Sequence, residues 1–254
     1  MKRILLLATA LVAFVLVACS GREDIVVEYN VDEKSDYLPE VSAPDTLLTV
    51  EDSEVASDAI IDLVEDDPIF TMQPLPPHII QLIDGSSFHP EAPFGHDFLT
   101  YLTISHWDFE GNHKQGHMIV AEEIGREVLE IFEEIFHAGF PIERMRLIDF
   151  YNALDYYSMA DNNSAAFNFR TIAGTNTLSR HAFGMAIDIN PIQNPYIRGD
   201  TIWPAAGIEY IDRENVRTGM ITRGCPVYTA FTSRGWIWGG NWTSPRDYHH
   251  FERR

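Results

Sequence analysis

Two short stretches hold the side chains best suited to chemistry. The first, SRHAFGMAIDINP over residues 179–191, sets His181 seven positions before Asp188, with small residues and a short apolar alternation between them. The second, RDYHHFE over residues 246–252, supplies Asp247, His249, His250 and Glu252 just after the aromatic, glycine-rich RGWIWGGNW. Taken alone, an aspartate in a strand is more often a hydrogen-bonded structural group, and a lone histidine is more often packed or on the surface. The second stretch shifts that balance. A nitrogen, a carboxylate oxygen and a second nitrogen make a three-ligand set that leaves one tetrahedral position open, the arrangement of a catalytic rather than a structural zinc.

Several elements must position these groups. GMAIDIN, residues 184–190, is short, apolar and bounded by polar turns, which predicts a strand with Met185, Ile187 and Ile189 on one face and Ala186, Asp188 and Asn190 on the other. The same alternation predicts that one of the adjacent His249 and His250 turns away from the site. MRLIDFY, residues 145–151, also reads as a strand. HMIVAEEIGREVLEIFEEIFHAG, residues 117–139, carries Ile119, Val120, Ile124, Val128, Ile131, Phe132 and Ile135 at three- and four-residue steps, which predicts an amphipathic helix capped by Gly139. Upstream of His181, DNNSAAFNFRTIAGTNTLS contains Arg170 as its only cation, and Asp161, Asn162 and Asn163 suit a turn. His78, His89, His96, His106, His113, His117 and His137 show no ligand spacing among themselves and read as surface or packing residues, while Trp203, Trp236, Trp238 and Trp242 suit core and cleft walls.

Over the 254 residues, 38 acidic side chains against 18 basic ones give a net charge of -20, which excludes a general affinity for nucleic acid. Residues 1–18 join two cations to an apolar run that ends in Leu16-Val17-Ala18 before Cys19, the pattern of a bacterial lipoprotein signal with Cys19 as the lipidated residue. Cys225 is the only other cysteine, so an acylated Cys19 leaves no intramolecular disulfide. Residues 19–72 are acidic and poor in aromatics and read as a flexible tether. Three prolines within MQPLPPHII, residues 72–80, mark a boundary that should hold neither helix nor central strand, and residues 73–254 form one globular domain.

Ser179, His181, Gly184, Ala186 and Asp188 spell S-x-H-x-x-G-x-A-x-D, and Asp247 with His250 spells D-x-x-H-F-E. In these motifs the chain resembles the zinc-dependent D,D-carboxypeptidase and L-alanyl-D-glutamate endopeptidase family (peptidase family M15, with VanY-like members) that cuts peptidoglycan stem peptides. The resemblance covers about residues 116–252. It implies an α+β fold shared with the hedgehog signalling domain, in which a small antiparallel sheet flanked by helices carries one zinc ion. It further implies zinc ligands His181, Asp188 and His250, a general base at Asp247 and an Arg170 that faces the scissile carbonyl. Ser179 would bond near the metal or substrate, or close the turn. Two features depart from the family: the base is aspartate where many relatives carry glutamate, and His249 stands where one branch has proline.

The function expected on this resemblance is a lipid-anchored zinc peptidase of the cell envelope, outside the cytoplasm, with peptidoglycan stem peptides as its partners. Removal of a terminal D-alanine is favoured, because Ser179, Asn176 and Thr175 would line a small polar approach suited to a short terminal residue. The alternatives are L-alanyl-D-glutamate cleavage and a lipoprotein that binds wall peptides without cutting them. Asp247 argues against the last, since binding alone needs no carboxylate beside an open metal position.

Overall fold

The computed structural model describes residues 67–254. The expected signal sequence, the lipidated Cys19 and the tether up to residue 66 lie outside the described residues. Among the described residues no helix is long and apolar enough to cross a membrane.

The chain opens with β1 (Phe70–Pro74), α1 (Pro77–Ile83), β2 (Leu99–Trp107), β3 (His113–Ala121) and α2 (Glu122–His137). β1, β2 and β3 form an antiparallel sheet in that order, with Phe70 opposite Ile104 and Leu99 opposite Ala121. The β2–β3 hairpin closes on Asp108, whose carboxylate accepts from the backbone N–H groups of Glu110 and Asn112 at 3.0 and 2.7 Å.

Three expectations fail here. The proline-rich boundary is structured: Pro74 ends an edge strand, where a missing N–H costs no ladder bond, and Pro77 occupies the first turn of α1, where the N–H would have no helical partner. β1 begins at Phe70, so the fold starts inside the stretch assigned to the tether. The helix is also shorter than its apolar spacing predicts, because residues 117–121 belong to β3. Met118 and Val120 join the main core, whereas Ile119 joins a second cluster with Leu99, Tyr101 and Phe167. A strand buried on both faces reads as an unbroken apolar run, which periodicity alone cannot separate from a helix.

α2 buries Ile124, Val128, Leu129, Ile131, Phe132, Ile135 and Phe136 against the sheet and ends at Gly139, which takes the expected left-handed conformation at φ 67°. Each fully buried side chain of this kind stabilises the fold by about 1.5–3 kcal/mol. Glu122 and Glu123 sit in the first turn, where they complement the helix dipole.

Beyond α2 the elements shorten: β4 (Arg144–Met145), α3 (Asp155–Ala160), β5 (Asn163–Ser164), β6 (Ala186–Asp188), β7 (Tyr196–Arg198), β8 (Thr201–Trp203), α4 (Pro226–Thr232), β9 (Ile237–Trp238), β10 (Arg246–Asp247) and β11 (His250–Glu252). The strand expected over residues 145–151 is confined to its first residue, and Ile148–Tyr151 forms a 3-10 turn. One three-stranded sheet has the order β6-β11-β9 and another β10-β7-β8, both antiparallel. Phe251 at the centre of the first stacks on Phe231 of α4, with ring centres 4.3 Å apart. The architecture is α+β, with small antiparallel sheets beside helices.

Candidate metal centre

Pairing of β6 with β11 sets the first two functional side chains together. The register places His250 opposite Asp188, and directly opposed residues of an antiparallel pair share a face. His250 Nδ1 lies 3.0 Å from Asp188 Oδ1. The third group, His181, comes from a 3-10 turn over Arg180–Phe183. Ser179 caps that turn: its hydroxyl accepts from the His181 N–H at 3.2 Å, so Ser179 closes the turn. Gly184 ends it at φ 61°, and a Cβ there would stand 2.5 Å from the Ala121 nitrogen at the β3–α2 junction. The Gly184 carbonyl accepts from that same N–H at 3.0 Å. The glycine of the motif is therefore required twice, by its dihedral and by the backbone it touches.

His181 Nε2 lies 3.2 Å from Asp188 Oδ2 and 3.2 Å from His250 Nδ1. One atom from each of the three residues falls within 4.8 Å of the others, the spacing of a set that could hold a metal ion. The outer nitrogens are committed elsewhere. His181 Nδ1 donates to the Ala166 carbonyl at 2.5 Å, and His250 Nε2 is 3.4 Å from Glu252 Oε2. Such outer contacts fix the tautomer and leave the opposite nitrogen facing the centre, as ligating histidines require.

The segment that clasps both sides of the centre is Ala165–Asn168, to which the sequence alone assigned no role. Ala165 exchanges backbone hydrogen bonds with Asp188 at 2.8 and 3.1 Å, Ala166 anchors the His181 ring, and the Asn168 N–H donates to the His181 carbonyl at 3.1 Å. Its signal, SAAFN, is two small residues that permit close approach and one amide that bonds backwards, and neither feature is periodic. Just after β6, Asn190 and Asn194 tie neighbouring main chain together through their side-chain amides. Asn194 Nδ2 donates to the carbonyls of Ile189, Asn190 and Gly219, and its Oδ1 accepts from the Ile221 N–H and Arg213.

Charge is concentrated here. Burial works against ionisation of Asp188, but His181 and His249 on either side hold its carboxyl well below the usual carboxylate range. For His250 burial opposes the charge, yet hydrogen bonds with Asp188 and Glu252 push its pKa up to about 10. The His181 and His250 side chains are 5% and 9% exposed, against 16% for Asp188 and 14% for Asp247, so the carboxylates rather than the imidazoles meet solvent. Two buried imidazole nitrogens converging on a carboxylate suit a divalent cation, which would supply at one point the positive charge that the carboxylate draws from the rings.

Asp247 neighbours the centre through His249, whose Nε2 lies 2.9 Å from Asp247 Oδ1 and 3.9 Å from Asp188 Oδ2. Gly239 has no Cβ, which would otherwise meet the Asp247 backbone oxygen at 2.6 Å, and this lets the WGG turn lie against β10. Trp242 flanks His250 with ring centres 5.4 Å apart.

Arg170 pairs through its Nε with Asp155, and one terminal nitrogen makes a 3.4 Å contact with the Thr171 carbonyl. Thr175 and Asn176 are exposed in a turn that the Thr175 hydroxyl closes on the Ile172 carbonyl at 2.8 Å. His249 does not turn away. It is buried beside Asp247, because Tyr248 and His249 cross from one sheet to the other between β10 and β11, where strand alternation does not apply. Of the remaining histidines, His106 is buried on the Ile142 carbonyl and His96 pairs with Asp84. None of these joins a ligand cluster among the described residues.

No curated protein and no solved structure matches the chain. Residues 173–253, which hold His181, Asp188, Asp247 and His250, match the family model described as D-alanyl-D-alanine carboxypeptidase, and this match supports a peptidase of family M15.

Proposed function

We propose that the chain is a zinc peptidase that removes the terminal D-alanine from peptidoglycan stem peptides. The observation that carries this reading is the convergence of His181 Nε2, Asp188 and His250 Nδ1 within 4.8 Å, inside the segment matched by the carboxypeptidase family model. A zinc ion on these ligands would polarise the scissile carbonyl and make water a nucleophile near neutral pH. Asp247 then takes the proton of the attacking water and returns it to the departing amine. Ser179, Gly184 and Ala166 hold His181 in place, and Glu252 orients His250. Arg170 uses its Nε edge on Asp155 and only a long 3.4 Å contact of one terminal nitrogen on the Thr171 carbonyl, so its guanidinium end is the donor for a substrate carboxylate or a developing oxyanion. Placement in the cell envelope on a lipidated Cys19 rests on the sequence of residues 1–19 alone.

L-alanyl-D-glutamate cleavage is the second reading: Thr175 and Asn176 are exposed, and the Thr175 hydroxyl is spent within their own turn on the Ile172 carbonyl, so neither is committed to gripping a terminal residue. A stem pentapeptide and its C-terminally amidated form, incubated with the zinc-loaded full chain and read by mass spectrometry, separate the two. The carboxypeptidase reading predicts loss of one alanine from the free acid and at least tenfold slower reaction of the amide. Equal cleavage of both, or scission between L-alanine and D-glutamate, overturns it.

A further inference from the structure

His249 occupies a place in the centre that no ligand motif assigns. It is 3% exposed, and a buried imidazole needs a partner for each nitrogen. Nδ1 lies 2.7 Å from the Asn194 carbonyl, an acceptor only, so this nitrogen carries a proton. Nε2 lies 2.9 Å from Asp247 Oδ1 and 3.9 Å from Asp188 Oδ2. Asp247 Oδ1 is itself buried, and the approach of His249 is a close ion-pair contact whose angle falls short of a good hydrogen bond. Asn194, at the other end of the ring, is fixed by its own contacts with Ile189, Asn190, Gly219, Ile221 and Arg213. The ring thus bridges a rigid piece of main chain and one oxygen of the proposed base.

We infer that His249 is a positioning residue for Asp247: anchored on the Asn194 carbonyl, it holds Asp247 Oδ1 and so aims Oδ2 at the water that attacks the substrate. This inference rests on the proposed peptidase reading for its catalytic meaning, but the contact itself does not. Asp247 is held by two short strand pairings, Arg246 with Ile197 and Asp247 with Tyr196, so its backbone is placed while its side chain would otherwise keep rotamer freedom. A carboxylate misaimed by about 1 Å costs turnover on the order of a hundredfold, which gives a buried ring at this point a function that packing alone does not demand. His249 is not a fourth ligand in this account, since its Nε2 faces Asp247 at the shorter distance and the ligand set closes without it.

The test compares full-length wild type, His249→Phe and His249→Gln. The glutamine amide can present an N–H near the place of Nε2, whereas phenylalanine keeps volume and removes both polar atoms. Metal content, the visible spectrum of the cobalt(II)-substituted protein, and kcat and KM on a stem pentapeptide are read for each. The expected result is one metal per chain and an unchanged cobalt spectrum in all three. His249→Phe should lower kcat about 10–100-fold with KM within about threefold, and His249→Gln should recover at least about tenfold of the loss. Wild-type kcat in His249→Phe, loss of metal or an altered cobalt band, or no recovery in His249→Gln overturns the inference. A separate arm uses the metal-free full chain with ¹⁵N-labelled histidine: Asp247→Asn should shift the His249 ring nitrogens, and unshifted resonances overturn the contact. That arm stands if His249→Phe fails to fold. A wild type that neither binds metal nor cleaves any stem peptide, yet shows the shift, rejects the peptidase reading and leaves the contact standing.

Discussion

Asp247 is the residue on which chemistry and binding part company. It lies outside the set of three convergent ligands but is joined to Asp188 through His249, so replacing its carboxylate should spare the metal and stop the reaction. Asp247→Asn is expected to keep metal content at the wild-type level while kcat falls at least about a hundredfold, measured by metal analysis and stem-peptide turnover on the same sample. Arg170 gives a second prediction at this scale. If its terminal nitrogens meet the substrate, Arg170→Ala should lower kcat/KM by about 10²–10³ with metal content intact, and unchanged kcat/KM would leave the Arg170–Asp155 pair a purely structural contact. His181, Asp188 and His250 were legible in the sequence because their identities and spacing repeat a known motif. The place of His249 was not, because alternation was applied to two residues that bridge strands and do not lie in one.

Among the elements, the centre depends most on the turn from Ser179 to Gly184, which transmits the position of the β3–α2 junction to the His181 ring. Gly184→Ala combines a left-handed backbone with a Cβ placed 2.5 Å from the Ala121 nitrogen. It should destabilise the fold by about 2–4 kcal/mol, read from denaturant midpoints of the metal-free protein, and weaken metal binding as His181 shifts. A cost under about 0.5 kcal/mol would show that the turn is looser than this geometry requires. The strand over β6 and the helical stretch of α2 could be read from apolar spacing. The Ala165–Asn168 clasp and the asparagine ties just after β6 could not, since they work through backbone groups and single amides that leave no periodic trace.

For the whole molecule, the three-stranded sheet that supports α2 begins earlier than composition suggests. Phe70 meets Phe136 edge-on, with ring centres 5.8 Å apart, and Met72 packs on the main core, so a chain cut at residue 73 loses both. The fragment 73–254 should be about 2–4 kcal/mol less stable than 67–254 in chemical denaturation, given two partly buried apolar side chains and a lost edge strand. Equal midpoints would make β1 an ornament of the fold. The acidic stretch before it is rich in charge and poor in aromatics, and that composition gave no sign that Phe70 and Met72 turn inward. The account as a whole stands on the metal centre. Its most direct measurement is calorimetric titration of zinc into the metal-stripped full chain, wild type beside His181→Ala. The account predicts one zinc per wild-type chain and at least about a hundredfold weaker binding in His181→Ala. Absence of binding in the wild type, or undiminished binding in His181→Ala, would contradict it.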